Sequence, residues 1–461
     1  MNHLDYFASA QRPVETCVLG SGGFGRSFLA QGMRVPLMRA RIAVDMDAEI
    51  AAAAFLALGV PTTEVARCFT ADEARRAWAE GKYIAAGDFS SVVGLPIDVV
   101  VEATGNPEAG ARHSRIAIEA GHHLVLVSKE VDSVVGPYLA HLARQRGKVA
   151  TPVDGDQPSL LIGLITWAQL LGFDILAAGK ASEYDFVYDQ AAGSMSSNGQ
   201  TVSLSNFAPH WALGRSPAME IAQARAQACA ALPQRCVPDL CELLVVANST
   251  GFLPDRPDLH APIARIFEVP SFFGATADGG LLTGGQVLDV FHCLRRPDEA
   301  SFAGGVFVVI RCEDDVTWDL LAAKGHVVSR DGQRAMVYLP RHLLGLEAAT
   351  SVLEAAIHGR SSGAQAPFPR LDLVARATRN LSAGTVLAMG GHHHTIEGTA
   401  GELHPAQALA GGHPVPFYLA ANRQLVRNVQ AGALITLDDI EIDASSVLLA
   451  LRRQQDASFH L

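Results

Sequence analysis

The short apolar run Thr16-Cys17-Val18-Leu19 breaks into Gly20-Ser21-Gly22-Gly23-Phe24-Gly25, and the helix-favouring run Arg26–Gln31 follows at once. Gly20, Gly22 and Gly25 fill a G-x-G-x-x-G spacing, and each glycine has its own physical task. The first permits a tight turn, the second lets a pyrophosphate approach the backbone, and the third lets the helix pack close to the strand. The helix that follows offers free N–H groups and the positive end of its dipole to a phosphate. The next apolar run, Arg41-Ile42-Ala43-Val44, ends at Asp45, about twenty residues past Gly25, where an acid bonding the adenosine ribose belongs. Turn and acid together point to a dinucleotide. Gly20, Gly22, Gly23, Phe24, Gly25 and Asp45 are the candidate cofactor residues. Asp45 and Asp47 disfavour the extra phosphate of NADP. Arg39 and Arg41 lie close by, so NAD and NADP both stay open.

The pattern around this turn is strand, helix, strand. Val99–Val101 and Leu124–Val127 read as strands. Thr70 and Glu73 have capping-box spacing, Pro107 starts a helix that ends near Gly121, and 136–146 reads as the next helix. Such alternation implies a doubly wound parallel sheet, the Rossmann arrangement, over residues 1–153. With 461 residues, about three domains are expected. We place an α+β substrate domain at 154–339, a returning helix and linker at 340–365, and a small β-rich domain at 366–461. The returning helix is expected from Pro340 to Gly359 on its apolar stripe. Leu243–Ala247 reads as a strand, and the glycine-rich 190–206 as a loop, either a lid or disordered.

Composition narrows the function classes. The net charge of −11 gives no broad attraction to nucleic acid or anionic membranes. No apolar run reaches the roughly 20 residues a bilayer span needs, and the first residues do not read as a secretory signal. The seven cysteines are scattered, with no CxxC pair, as in a cytoplasmic protein with reduced thiols. A small-molecule substrate is expected, with no nucleic-acid or membrane partner, in a homo-oligomer.

Two further segments carry chemistry. Asp154-Gly155-Asp156-Gln157-Pro158 precedes an apolar helix, so its acids either start that helix or serve a site. In Gly179-Lys180-Ala181-Ser182-Glu183, a lysine with a nearby acid suits the proton transfer that accompanies hydride transfer, provided burial lowers the lysine pKa. A surface ion pair is the alternative. His392-His393-His394 reads as a polar loop, because adjacent strand side chains point to opposite faces and do not converge on a metal.

The segments Asp98–Pro107 and Ala120–Glu130 resemble the corresponding strands of homoserine dehydrogenases. That family ends the second of them with an Asn-Lys pair, and its lysine lies beside nicotinamide and substrate. Ser128-Lys129 keeps the lysine and not the asparagine. The resemblance implies that Thr104, Gly105 and Lys129 border the cofactor. Nearly the whole chain is similar to the DXR-like 1-deoxy-D-xylulose 5-phosphate reductoisomerases. The shared features are Gly22–Arg26, Asp154–Pro158, Gly179-Lys180 with Ser182–Asp185, and a C-terminal segment, Ala375–Leu387, that resembles the SAF module. Lys129, Lys180, Glu183 and Asp154 are then the candidate catalytic residues. Asp154, Asp156 and Glu183 are the candidates for a divalent metal. The resemblance implies an NAD(P)-dependent oxidoreductase acting on a small sugar-derived hydroxy or carbonyl compound, phosphorylated or acidic, with or without skeletal isomerisation. Homoserine-type dehydrogenation and a non-catalytic dinucleotide sensor are the alternatives.

Overall fold

The computed structural model describes residues 2–391 and 394–461. Seven parallel strands form the first sheet: β1 (Val14–Leu19), β2 (Met38–Val44), β3 (Val65–Cys68), β4 (Tyr83–Ala86), β5 (Val99–Glu102), β6 (His123–Leu126) and β7 (Ala150–Pro152). Their order is β3-β4-β2-β1-β5-β6-β7. The chain therefore winds outward from β1 in one direction and from β5 in the other. Ligands of such sheets bind in the crevice at that reversal, beyond the carboxyl ends of the strands. Both faces of the sheet are covered. Cys17 and Leu19 pack into one core and Val18 into the other; Val100 is split from Val99 and Val101 in the same way. The doubly wound α/β arrangement expected from the sequence is present.

The second sheet is mixed. It comprises β8 (Ile175–Ala181), β9 (Phe186–Asp189), β10 (Ser194–Ser197), β11 (Gln200–Ser203), β12 (Ile263–Ala264), β13 (Val287–Arg295), β14 (Val306–Arg311), β15 (Val327–Val328) and β16 (Arg334–Leu339). In the segment expected to be a loop, β10 and β11 form a hairpin. Asn198 and Gly199 take φ of 48° and 70°, the paired positive values of a two-residue hairpin turn. The C-terminal segment holds β17 (Leu371–Ala377), β18 (Met389–Gly390), β19 (Thr395–Ile396) and β20 (Thr399–Pro405), with β17 and β20 antiparallel, and a final helix Val447–Phe459.

Two expected elements are corrected. Leu243–Ala247 is no strand: it belongs to the helix Val237–Thr250, which Pro238 opens and Gly251, at φ 83°, closes. The helix is packed by the helices Lys129–Gln145 and Gln157–Leu170 and by β17 and β20, so it is apolar nearly all round and shows no helical stripe. The second correction concerns Pro340–Gly359, which is not one helix. It forms a 3-10 turn Leu344–Leu346, a helix Ala349–Leu353 and a π turn Glu354–His358. Leu344 takes φ 52°, and Gly345 sits so close to the helix Gly23–Gly32 that an added Cβ would lie 2.4 Å from Phe28 N. Tertiary contact interrupts the helix there. Val352 and Leu353 nevertheless return onto the first sheet, in the core with Val18 and Phe28.

One core runs without a break from the first sheet to the C-terminus. Val131 and Leu139, Leu240 and Leu244, Leu373, and Leu448 and Leu451 all belong to it.

Candidate active site

The glycine turn stands at the reversal point of the first sheet. Gly20, at φ 92°, lies against β5: a Cβ there would be 2.5 Å from Ala103 O. At Gly25 a Cβ would lie 1.9 Å from Gly20 O, so only glycine lets the helix Gly23–Gly32 start this close to the strand. Gly22 and Gly23 differ. A Cβ on either meets nothing within 4 Å, and Gly22 is the N-cap with no side-chain cap. Both are exposed at the start of this helix, where the first backbone amides lack helical acceptors, as a pyrophosphate cradle requires.

Asp45 follows β2, and its Oδ2 accepts from Ser21 N at 2.8 Å and from Ser21 Oγ. The carboxylate thus braces the turn. Asp47 caps the helix Ala48–Ala57 through Glu49 N at 3.0 Å. Both nearby arginines are engaged elsewhere. Arg39 and Arg41 pair with Glu15, and Arg41 stacks on Trp78 at 3.8 Å.

Past β5, Glu102 Oε1 accepts from Thr104 N at 3.0 Å and from Thr104 Oγ1, and Gly105 N donates to Ser128 Oγ at 2.9 Å. These bonds shape one wall of a cavity of about 440 Å³. Phe24, Gly105, Lys129, Glu130, Asp156, Glu183 and Glu242 line it, as does His342, whose Nδ1 lies 2.9 Å from Gly304 O.

Lys129 begins the helix Lys129–Gln145. Its Nζ lies 2.7 Å from Glu242 Oε1 and 3.1 Å from Asp156 Oδ2. Lys180, near the end of β8, pairs with Glu242 Oε2 and, at 2.9 Å, with Asp239 Oδ1; Asp239 also accepts from Ser182 Oγ at 2.6 Å. Glu242 therefore bridges two lysines. Burial works against both ammonium charges, but Asp156 and Glu242 hold Lys129, and Asp239 and Glu242 hold Lys180, above the usual lysine value. Burial also opposes charge on Glu242, and the two lysines overcome it, keeping that carboxyl well below its usual range.

This geometry corrects the expectation for Lys180. Its pKa is raised and not lowered, its ion-pair partners are Asp239 and Glu242, and at 2 % side-chain exposure it is sealed from the cavity. Lys129 and Glu242 are the pair that face the space. Asp154 is also displaced from the role expected of it. Its backbone N donates to Ser351 Oγ at 2.6 Å, its carboxylate accepts from Ser159 and Ser362, and it lines a different cavity of about 730 Å³. Asp156 starts the helix Gln157–Leu170 by accepting from Gln157 N at 2.9 Å, and it reaches Lys129 as well. Asp154, Asp156 and Glu183 are not gathered round one point. Among the described residues, no group of three or more His, Cys, Asp or Glu side chains is placed to hold a metal ion. His392 and His393 lie outside the described residues, whereas His394 reaches Glu130.

Sequence reasoning missed Asp239 and Glu242. The available signal was two acids three residues apart in Val237-Pro238-Asp239-Leu240-Cys241-Glu242-Leu243-Leu244. Acids inside so apolar a run are costly unless cations meet them.

Residues 237–348 match the family model described as oxidoreductase DRL, catalytic domain. This stretch is similar to an oxidoreductase catalytic domain. It holds Asp239, Glu242 and His342. No curated protein matches the chain. Among solved structures, an oxidoreductase from Bacillus cereus aligns at 12% identity over 75% of this chain and 89% of that one, with a TM-score of 0.35. An NAD-binding oxidoreductase from Klebsiella pneumoniae aligns at 16% identity over 39% of this chain, with a TM-score of 0.27, and the alignment spans 46% of that protein's length. A DOX-P reductoisomerase, crystallised with fosmidomycin and magnesium, aligns at 18% identity over 51% of this chain and 56% of that one, with a TM-score of 0.30. Among the described residues, no helix is long and apolar enough to cross a membrane.

Proposed function

We propose that the protein is a nicotinamide-dinucleotide-dependent oxidoreductase that interconverts a hydroxyl and a carbonyl on a small, polar, sugar-derived substrate. One observation carries this reading: the exposed, sterically open Gly22–Gly23 turn and the Lys129–Glu242 pair flank the reversal point of the first sheet and its cavity. When bound, the dinucleotide supplies or takes up the hydride. In the reducing direction Lys129, held as an ammonium, donates a hydrogen bond to the substrate carbonyl oxygen and stabilises the negative charge that develops there, while solvent water supplies the proton that makes that oxygen a hydroxyl. Glu242 orients Lys129, and Lys180 with Asp239 and Ser182 fixes Glu242 from behind. Asp45, with Arg39 and Arg41 turned to Glu15, favours NAD over NADP.

The cavity lining bears on the substrate. It has Lys129 against Glu130, Asp156, Glu183 and Glu242, and among the described residues no arginine. Such a balance disfavours a phosphate and favours a neutral polyol or an amine-bearing compound. The test is a titration with NADH and NADPH, followed by nicotinamide absorbance during incubation with sugars, amino sugars, sugar phosphates, aldonates and homoserine. Turnover of a neutral or amino sugar is expected. Dinucleotide binding with no turnover across that panel would replace this reading with a sensor, and no binding at all would remove it.

A further inference from the structure

The C-terminal segment reaches the cleft with the side chain of His394. His394, just before β19, has its Nδ1 2.5 Å from Glu130 Oε1. Its ring rests on Gly105, where a Cβ would lie 2.7 Å from His394 Cε1. The backbone adopts φ 48° at His394 and 64° at Gly105 to make this approach. Gly105 is thus gripped between the imidazole and the Ser128 hydroxyl, while Glu130 ties the imidazole to the helix that begins with Lys129. His394 and the buried Tyr418 also line a cavity of about 150 Å³ that shares Lys129, Glu130 and Glu183 with the larger one.

The position along the sheet decides which part of a dinucleotide this contact serves. The glycine turn and Asp45 follow β1 and β2, on the side where pyrophosphate and adenosine belong. Gly105 and Lys129 follow β5 and β6, across the reversal point, where the other half of a dinucleotide extends. We propose that His394 is a positioning residue, contributed by the C-terminal segment, that clamps the Gly105 loop to the Lys129–Glu130 helix start and so shapes the pocket for the nicotinamide half of the cofactor.

This inference rests on the functional reading above. Among the described residues, the groups facing His394 are Glu130 and Lys129 from their helix, and Glu183, Cys241 and Tyr418 around the shared cavity. Glu130 raises the His394 pKa through its hydrogen bond and charge, against burial and the opposing charge of Lys129. The imidazole therefore holds its proton to higher pH than an ordinary histidine, and the clamp loosens as that proton leaves.

Wild type, His394→Gln and Glu130→Gln are titrated with NADH and with ADP-ribose, which lacks nicotinamide. Each variant is expected to lose about tenfold in NADH affinity, the weight of one charge-assisted hydrogen bond, and to keep ADP-ribose affinity within about twofold. The wild-type preference for NADH over ADP-ribose falls as pH rises from about 6 to about 9, and that dependence vanishes in His394→Gln. Unchanged NADH affinity, or equal losses for both ligands, overturns the clamp. Should His394→Gln fail to fold, Glu130→Gln reads the same contact from the other side. A wild type that binds NADH while both variants match it removes the clamp alone; a wild type that binds neither ligand removes the functional reading and the clamp with it.

Discussion

Glu102 has an unusual titration for a side chain so close to the cleft. It is fully buried at the end of β5, and burial pushes its carboxyl up to about 7, with Ser128 and Thr104 hydrogen bonds opposing and Glu130 adding. An unfolded chain ionises this group from about 4.5, whereas the native protein keeps the proton until about 7. The native state binds the extra proton in that window, so its stability falls as pH rises through it and then levels off. Glu102→Gln removes this penalty. Urea melts at about pH 4.5 and pH 8 should show the variant gaining on wild type by up to about 3 kcal/mol at the higher pH. The glycines separate in the same residue-by-residue way. Gly22→Ala enters open space and should leave the melting temperature unchanged while weakening NADH binding. Gly25→Ala meets Gly20 O and should lose both. Lys129→Met should lower turnover at least about 100-fold, the usual worth of one donor to a developing oxyanion, in steady-state assays with whichever substrate the panel identifies. The glycine turn was legible because its chemistry is local and each glycine answers to backbone sterics. Glu242 and Asp239 were not legible, because their meaning lies in Lys129 and Lys180, far away in sequence.

At the scale of elements, the turn Leu344–Leu346 and the helix Gly23–Gly32 form a joint. Gly345 N donates to Ser27 Oγ at 3.1 Å, and a Cβ on Gly345 would also come within 2.6 Å of Phe24 O. Phe28 N and Phe24 O are backbone atoms, so moving the Ser27 hydroxyl alone does not relieve the contact. Gly345→Val should cost about 3 kcal/mol or more in thermal or urea unfolding, at the upper end for an overpacked site. It should also weaken NADH binding, since Phe24 and Leu344 both line the cavity. Periodicity placed most of the first sheet and its helices, because a surface helix or a strand buried on both faces leaves its signature in a single segment. It failed at Leu243–Ala247, where burial on all sides erased the helical stripe. It failed again over Pro340–Gly359, where an apolar stripe is present but close packing on another helix bends the chain out of helical geometry.

The whole molecule shares its interior between its first sheet and its last helix. Arg452, with 0 % exposure, pairs with Asp372 and Asp456, and its helix packs on the helices Pro107–Glu119 and Lys129–Gln145. Replacing Arg452 by Met leaves two buried carboxylates without their cation and should cost about 3–5 kcal/mol in denaturant unfolding. A chain ending at 365 exposes Val131, Leu139, Leu240 and Leu244, and should appear in the insoluble fraction on expression. The sequence by itself determined the α/β class and the place of the glycine turn, since these follow from local sterics and spacing; Lys129 came from a family resemblance, and the structure sets it at the start of a helix. Only the tertiary structure decided that Glu242 joins Lys129 to Lys180, that Asp154 faces another cavity, and that His394 reaches Gly105. Those are meetings of segments remote along the chain, selected by the cost of burying charge unpaired, and no single segment records its partner.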